Sequence, residues 1–177
     1  MNPVIIQIIG FLGLGCFLVS YQFRETKPLF IMQMIACSLF AVQFLLLGQP
    51  SGAVSLFMSI TRNFLLVRRD KWPWVKWKGL VVIFIALYAA YVVWHWNSWI
   101  DILPLIGFSA GTVAYSTFNA RNIRISNLFI SSPAWIVYDS IIGSIGGVIN
   151  EAITIISVLV SIWRFGWKSL GESENKN

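Results

Sequence analysis

Long apolar segments, separated by short connections rich in polar residues, glycine and proline, make up most of the chain. A membrane-spanning helix needs about 20 apolar residues, and a backbone in lipid must satisfy its own hydrogen bonds. Each segment is therefore predicted to be a transmembrane helix, and the fold to be all-α and polytopic with seven such helices. The segments lie at residues 4–21, 29–48, 52–67, 79–96, 102–118, 125–143 and 147–165.

Composition agrees with this pattern and excludes several classes of function. Of the 177 residues, 57% are hydrophobic and 11% are charged, whereas soluble domains carry about 25% charged residues. Cys16, Cys37 and His95 lack the spacing or the partners of a metal site, so we expect no metal and no cofactor. No nucleophile with a neighbouring base and no paired carboxylates on one helix face are apparent, so we expect no enzyme.

The basic residues fall at alternate connections, which predicts the orientation. The connections GQPSG, HWNSWID and GSIGG contain no Lys or Arg. Because positively charged loops stay cytoplasmic, the N-terminus is predicted outside and the C-terminus in the cytoplasm. The charge is thus a topology signal, and we expect no nucleic-acid partner. The thirteen basic residues are Arg24, Lys27, Arg62, Arg68, Arg69, Lys71, Lys76, Lys78, Arg121, Arg124, Arg164, Lys168 and Lys176.

Similar residues recur along the chain at offsets of 97 and then 95 positions. The repeat predicts two parallel three-helix bundles joined by a linker helix, a plan that recurs among transporters. The predicted parts are a first bundle at 1–70, a loop and linker helix at 71–98, a second bundle at 99–167 and a tail at 168–177. The matches pair Gly10 with Gly107, Phe40 with Trp135, Gln43 with Tyr138, Gly48 with Gly143, Gly52 with Gly147 and Ser55 with Asn150.

On these residues the whole chain resembles the YgjV family of bacterial inner-membrane proteins, which implies a location in the bacterial inner membrane. More distantly, the plan resembles the SWEET, SemiSWEET and PQ-loop superfamily, whose members move sugars, vitamins or amino acids. That resemblance implies a cavity for a small polar solute. Members of the superfamily often carry a Trp followed by Tyr-Gly on the second helix of a bundle, and an Asn on the third.

Trp135, Tyr138 and Asn150 stand in those places, and the repeat adds Gln43 and Ser55 from the first bundle. These five are the candidate solute-binding residues. A helix-to-helix clasp is the alternative role of such polar groups.

Two features of the sequence depart from the superfamily pattern. The Pro-Gln motif would fall at Tyr21-Gln22 and at Phe118-Asn119, where the proline is missing. Pro133 removes one backbone hydrogen bond and is predicted to kink the sixth span, which is also unusually polar. A polar span should face other helices or a cavity.

Asp139, Glu151, Arg62 and Asp101 are charged residues that lie near or within predicted spans. Asp139 and Glu151 could couple transport to protons or attract cations, or could be hydrated near the outer interface. Arg62 could extend to the cytoplasmic headgroups or act as an inner gate or ion pair. Asp101 is expected to be a solvated charge at the outer surface.

These features predict a facilitator or secondary transporter of a small polar solute, working through a cavity between the two bundles. The alternative is a membrane protein without transport activity that assembles with a partner or senses lipid. The expected partners are the lipid bilayer and an unidentified solute, and a homo-oligomer is left open.

Overall fold

A computed structural model describes residues 3–20, 26–117 and 120–169 of the chain. Over these residues it is all-helical and has no strand, and its eight α-helical elements form seven continuous helices, the number that the apolar pattern predicts. The helices are α1 (Pro3–Ser20), α2 (Thr26–Leu46), α3 (Pro50–Val67), α4 (Gly79–Trp94), α5 (Ile102–Ser116), α6 (Ala120–Ser126), α7 (Ser132–Ile142) and α8 (Ile145–Ser169). A π-helical turn, Asn127–Ser131, joins α6 and α7 into one continuous helix, and Pro73–Lys76 and Trp99–Asp101 are short 3₁₀ turns.

Helix α1 is long and apolar enough to cross a membrane, with a mean hydropathy of 2.2 over its 18 residues. Shorter apolar stretches occur at Phe30–Leu46, Gly79–Trp94 and Ile145–Val160 within the described part of the chain. Large apolar side chains such as Val82, Leu87 and Phe129 cover the exterior of the helices. Soluble monomers rarely expose so much apolar surface, so this exterior is typical of a protein that lies in lipid.

Six of the helical segments contact one another in a closed ring. Helix α2 packs between α1 and α3, and α7 packs between α5 and α8. The ring closes through contacts between α3 and α5 and between α8 and α1, while α4 packs outside against α3 and α5. Close approach requires small residues, since a Cβ atom at Gly146 of α8 would lie 2.8 Å from the backbone carbon of Gly10 in α1.

The turns after α2 and after α7 have the same geometry. Gly48 and Gly143 both have φ of 75°, a left-handed conformation that favours glycine. The N–H of the next residue reaches back five positions in each turn, from Gln49 to the Phe44 oxygen at 2.8 Å and from Ser144 to the Asp139 oxygen at 2.9 Å. Both helices therefore end in the bond that is typical of a glycine-terminated helix.

The irregularity that Pro133 predicts takes the form of the π turn directly before it. The Ser132 N–H donates to the oxygen of Asn127, five residues earlier, in place of the usual four. Pro133 has no N–H to continue an α-helical ladder. The wider turn passes this point without ending the helix, and π turns of this kind often occur at functional sites.

Asp101 differs from the sequence prediction, because it is buried and fully engaged. Its side chain is 5% exposed. Oδ2 accepts hydrogen bonds from the N–H groups of Asn97 and Ser98, at 3.2 and 3.0 Å, and Oδ1 accepts one from the Ser51 hydroxyl. The Tyr88 hydroxyl donates to the Ser51 carbonyl at 2.8 Å. Asp101 therefore ties the turn before α5 to the start of α3, and the prediction of a solvated charge was wrong.

We expect Asp101→Ala to lower the free energy of unfolding by about 2–3 kcal/mol, because three donors lose a charged acceptor in a buried place. In a chain of this size that corresponds to a fall of about 5–10 °C in the unfolding midpoint, measured on the purified protein in detergent. Asp70→Ala removes an exposed carboxylate and serves as the control. Equal midpoints for the two variants would contradict the structural role of Asp101.

Candidate functional site

The ring encloses a cavity of about 130 Å³. Every helical segment of the ring contributes to its wall, and α4 does not. Its polar and charged lining residues are Gln33, Ser59, Arg62, Asn63, Tyr115, Asn127, Ser131, Ser132, Trp135, Asp139, Asn150, Glu151 and Thr154. Buried polar groups are costly in an apolar protein unless they find partners, so a wall with this many of them is the candidate site.

Trp135 provides the aromatic side of the cavity. Its ring stacks on Phe44, with centroids 6.1 Å apart and planes at 22°, and meets Tyr138 edge-on at 5.7 Å. Phe40 lies next to Phe44 in the same wall. These contacts hold the indole in place, and an indole combines a large apolar face with one N–H donor.

The π turn and α8 provide uncharged polar groups. Asn127, Ser131 and Ser132 line the cavity, and the Ser131 hydroxyl donates to the Gly107 carbonyl of α5 at 3.2 Å. Asn150, from α8, donates through Nδ2 to Oε1 of Glu151 at 3.2 Å. The polar sixth segment thus faces the cavity, as its composition predicts.

Arg62 points into the ring interior, which favours an internal role over contact with headgroups. Nη1 donates to the Thr112 hydroxyl at 2.9 Å, and Nε and Nη2 each lie 3.4 Å from Oδ1 of Asn63. The guanidinium carbon sits 4.7 Å from the centre of the Tyr115 ring and 5.7 Å from that of Phe108. These contacts join α3 to α5 across the wall of the cavity.

Asp139 and Glu151 both face the cavity, from α7 and α8. Asp139 is 3% exposed, and its Oδ1 has no hydrogen-bond partner within the described part of the chain. Its carboxyl group packs against Gly147, where a Cβ atom would lie 2.5 Å from the Asp139 Cγ. Helix α8 can therefore approach this carboxylate closely only because Gly147 has no side chain.

Three of the predicted binding residues lie off the cavity wall: Tyr138 and Gln43 bond to another helix, and Ser55 bonds within α3. The Tyr138 hydroxyl accepts a hydrogen bond from the Gly52 N–H at 3.1 Å, and the Ser55 hydroxyl donates to the Gly52 carbonyl at 2.7 Å. Gln43 accepts from the Ser144 hydroxyl at 3.1 Å. The structure thus brings Trp135, Asn150, Asp139, Glu151 and Arg62 to one cavity and places Gln43, Ser55 and Tyr138 elsewhere.

Several cavity residues were not singled out from the sequence. On α3 they are Ser59 and Asn63, which continue a buried polar stripe that begins at Ser51 and Ser55, and the spacing of four residues is a signal that the sequence does contain. Gln33 of α2 is a lone polar residue among apolar ones and gives no such signal. Over the part of the chain that the structure describes, no group of three His, Cys, Asp or Glu residues could hold a metal ion.

Gly107 and Gly111 lie one turn apart on α5 and provide a matched pair of substitutions. A Cβ atom at Gly107 would lie 2.8 Å from Cδ1 of Trp135, whereas at Gly111 the nearest atom, Nη1 of Arg62, is 3.8 Å away. We expect Gly107→Ala to cost about 1–3 kcal/mol of stability by displacing the indole. Gly111→Ala should be neutral or stabilise the helix by up to about 1 kcal/mol.

Thermal unfolding of the two purified variants measures this difference directly. If Gly107→Ala unfolds no earlier than Gly111→Ala, the indole does not occupy the position described here.

A family of bacterial inner membrane proteins, Imp-YgjV, has a model that matches residues 4–169 of the chain. No curated protein and no solved structure shows significant similarity to it. The family match covers almost the whole chain, including every helix of the ring and all the residues of the cavity. The chain therefore belongs to the Imp-YgjV family of bacterial inner membrane proteins.

Proposed function

We propose that this multi-pass inner-membrane protein is a facilitator or secondary transporter of a small polar solute. The observation that carries the proposal is the cavity inside the helix ring, with Arg62, Asp139 and Glu151 on its wall. Ionisable residues within membrane helices are costly and usually line substrate or ion pathways. A role in folding alone would be expected to pair the opposite charges with one another.

The order of helix contacts supports a plan of two three-helix bundles. If α1 is matched with α5, α2 with α6–α7 and α3 with α8, the two bundles make corresponding contacts. The α3–α5 contact then corresponds to the α8–α1 contact, and both are present. The matched turns at Gly48 and Gly143 are 95 residues apart, the offset at which the sequences of the two halves align. Such internal pairs are common in transporters, whose binding sites lie where the two halves meet.

Two clasps at one end of the ring support a cavity that is closed on that side. In the first, Gln7 donates to the Gly143 carbonyl at 2.7 Å, next to the Gln43–Ser144 bond. In the second, Asp101 is bound by Ser51. Both clasps lie at the end opposite the basic connection between α3 and α4, so the orientation predicted by the positive charges makes them the outer gate.

The hydrogen bonds of the predicted binding residues that lie off the cavity wall also favour a second function. Gln43 and Tyr138 bond to other helices, as a membrane protein without transport activity would need for a rigid scaffold, and Ser55 bonds to the backbone of its own helix. Such a protein would assemble with a partner or sense lipid through its exterior. The Tyr21-Gln22 and Phe118-Asn119 positions, where the superfamily carries its hinge motif, lie outside the described residues.

Proteoliposome flux tests the transport function. The full chain is reconstituted, and uptake of radiolabelled glycerol, xylitol, glucose, L-alanine and L-serine is compared with that of empty liposomes. We expect accelerated uptake of at least one solute, and a loss of at least tenfold in Trp135→Ala and in Asn150→Ala because both remove cavity contacts.

Trp163→Ala is the matched control, since Trp163 is 87% exposed and lies away from the cavity. Equal rates for the wild type and both cavity variants would overturn the site. If no solute crosses faster than in empty liposomes, and a partner protein co-purifies in constant ratio, the second function is the correct one.

A further inference from the structure

The cavity carries opposite charges on different walls. Arg62 comes from α3, whereas Asp139 and Glu151 come from α7 and α8 on the other side of the ring. Among the residues that the structure describes, no carboxylate is a hydrogen-bond or ion-pair partner of the Arg62 guanidinium. The charges therefore share one cavity without neutralising one another by direct contact.

Within the described ranges, the groups that hold the guanidinium of Arg62 in place are all uncharged. The guanidinium has five N–H donors in a planar fork that matches a carboxylate. One donor has a good bond to Thr112 at 2.9 Å, and two more reach Asn63 only at 3.4 Å. The neutral partners and the Tyr115 ring orient the charge. None of these groups is an anion. Because hydrogen bonds between ionised groups are the strongest, a partly buried cation would be stabilised most by binding an anion.

Among the described residues, the two carboxyl groups lack a cationic partner, whereas Arg62 lacks an anionic one. Asp139 is 97% removed from solvent, and its Oδ1 has no hydrogen-bond partner in the described ranges. Glu151 accepts a bond from Asn150 and lies near the Ser132 hydroxyl. The two carboxyl groups line the same cavity from the neighbouring helices α7 and α8. A cationic group in the cavity would give both acidic side chains a partner of opposite charge.

Trp135 precedes Asp139 by one helical turn and lines the same cavity. A cation beside Asp139 would therefore also lie near an indole, the aromatic ring that attracts cations most strongly. The cavity wall thus presents a guanidinium group at Arg62, and two carboxyl groups with an indole ring at Asp139, Glu151 and Trp135.

We propose that the solute is a small zwitterion the size of an α-amino acid, with its carboxylate at Arg62 and its ammonium group at Asp139 and Glu151. This inference rests on the proposed function, because it names the solute class of the same cavity. A neutral solute such as a sugar would leave the charges on both walls without partners. A solute with a single charge would leave the charge on one of the two walls without a partner.

The size of the cavity agrees with this class of solute. An apolar cavity of about 150 Å³ is large enough to bind benzene, which has about six non-hydrogen atoms. A cavity of about 130 Å³ therefore has room for a solute of similar size, such as a small amino acid, and is too small for a disaccharide.

Ligand-induced thermal stabilisation of the purified full chain tests the charge requirement. The probes are L-alanine and L-serine at up to 100 mM, compared with propionate, propylammonium and glycerol at matched ionic strength and pH. Because a ligand of the folded state stabilises by mass action, we expect the two amino acids to raise the unfolding midpoint by about 3 °C or more. The other three probes, which lack one charge or both, should raise it by less than 1 °C.

Charge-removing variants then test Arg62 and Asp139 separately. We expect Arg62→Gln and Asp139→Asn to lose the response to both amino acids, while Arg62→Lys keeps at least part of it because the cation is retained. Arg68→Gln and Asp70→Asn make the same changes at exposed positions and should respond like the wild type. The unfolding midpoint of each variant without ligand shows whether it has folded.

Equal stabilisation by glycerol, by propionate or by propylammonium would overturn the zwitterion assignment, as would an unchanged response in Arg62→Gln or an absent response to both amino acids. This failure can be told apart from failure of the transport function. Flux of neutral solutes without amino-acid binding contradicts only the solute class. Charge-dependent amino-acid binding without flux contradicts only transport.

Discussion

The fold depends on the need of buried polar groups for partners in a protein whose exterior is apolar. Because lipid offers no hydrogen bonds, each inward polar side chain must be satisfied by a neighbouring helix or by something in the cavity. Asp101 shows the first solution, with its oxygens engaged by Ser51 and by two backbone N–H groups. Asp139 shows the second situation, because its side chain lines the cavity and its Oδ1 has no hydrogen-bond partner among the described residues. The hydrogen bonds of Asp101 make it part of the scaffold, whereas the place of Asp139 on the cavity wall makes it part of the candidate site.

Glycine makes this separation possible by letting helices approach closely where the clasps form. A Cβ atom at Gly52 would lie 2.8 Å from ring atoms of both Phe44 and Tyr138, so the Gly52–Tyr138 hydrogen bond depends on a bare backbone. Gly147 plays the equivalent part beside Asp139, 95 residues further along the chain. At Gly52 the close contact accommodates the neutral hydroxyl of Tyr138, and at Gly147 it borders the carboxyl group of Asp139. The two glycines thus have the same role in packing beside side chains of different chemistry.

The sequence alone predicts the helices well, because apolar runs and glycine turns such as those at Gly48 and Gly143 are local signals. It predicts the site less completely, because facing a cavity or a neighbouring helix is decided by rotation about the helix axis and by which helices meet. Gln43 and Phe44 are adjacent, yet one is engaged in a clasp and the other lines the cavity. Asp101 was mispredicted for a similar reason, since its position beside exposed Trp99 says nothing about the direction in which the chain turns back.

The π turn explains how one helix presents a continuous polar wall. Asn127, Ser131, Trp135 and Asp139 are spaced by four residues, and all four line the cavity. In a regular α-helix with 3.6 residues per turn, each step of four overshoots a full turn by about 40°, so the first and last of them would face different directions. The wider turn at Asn127–Ser131 absorbs part of that drift. Pro133 fixes the place of the turn, because its missing N–H makes a regular ladder impossible there. The proline that was expected to bend this helix therefore serves to align its polar residues toward the cavity.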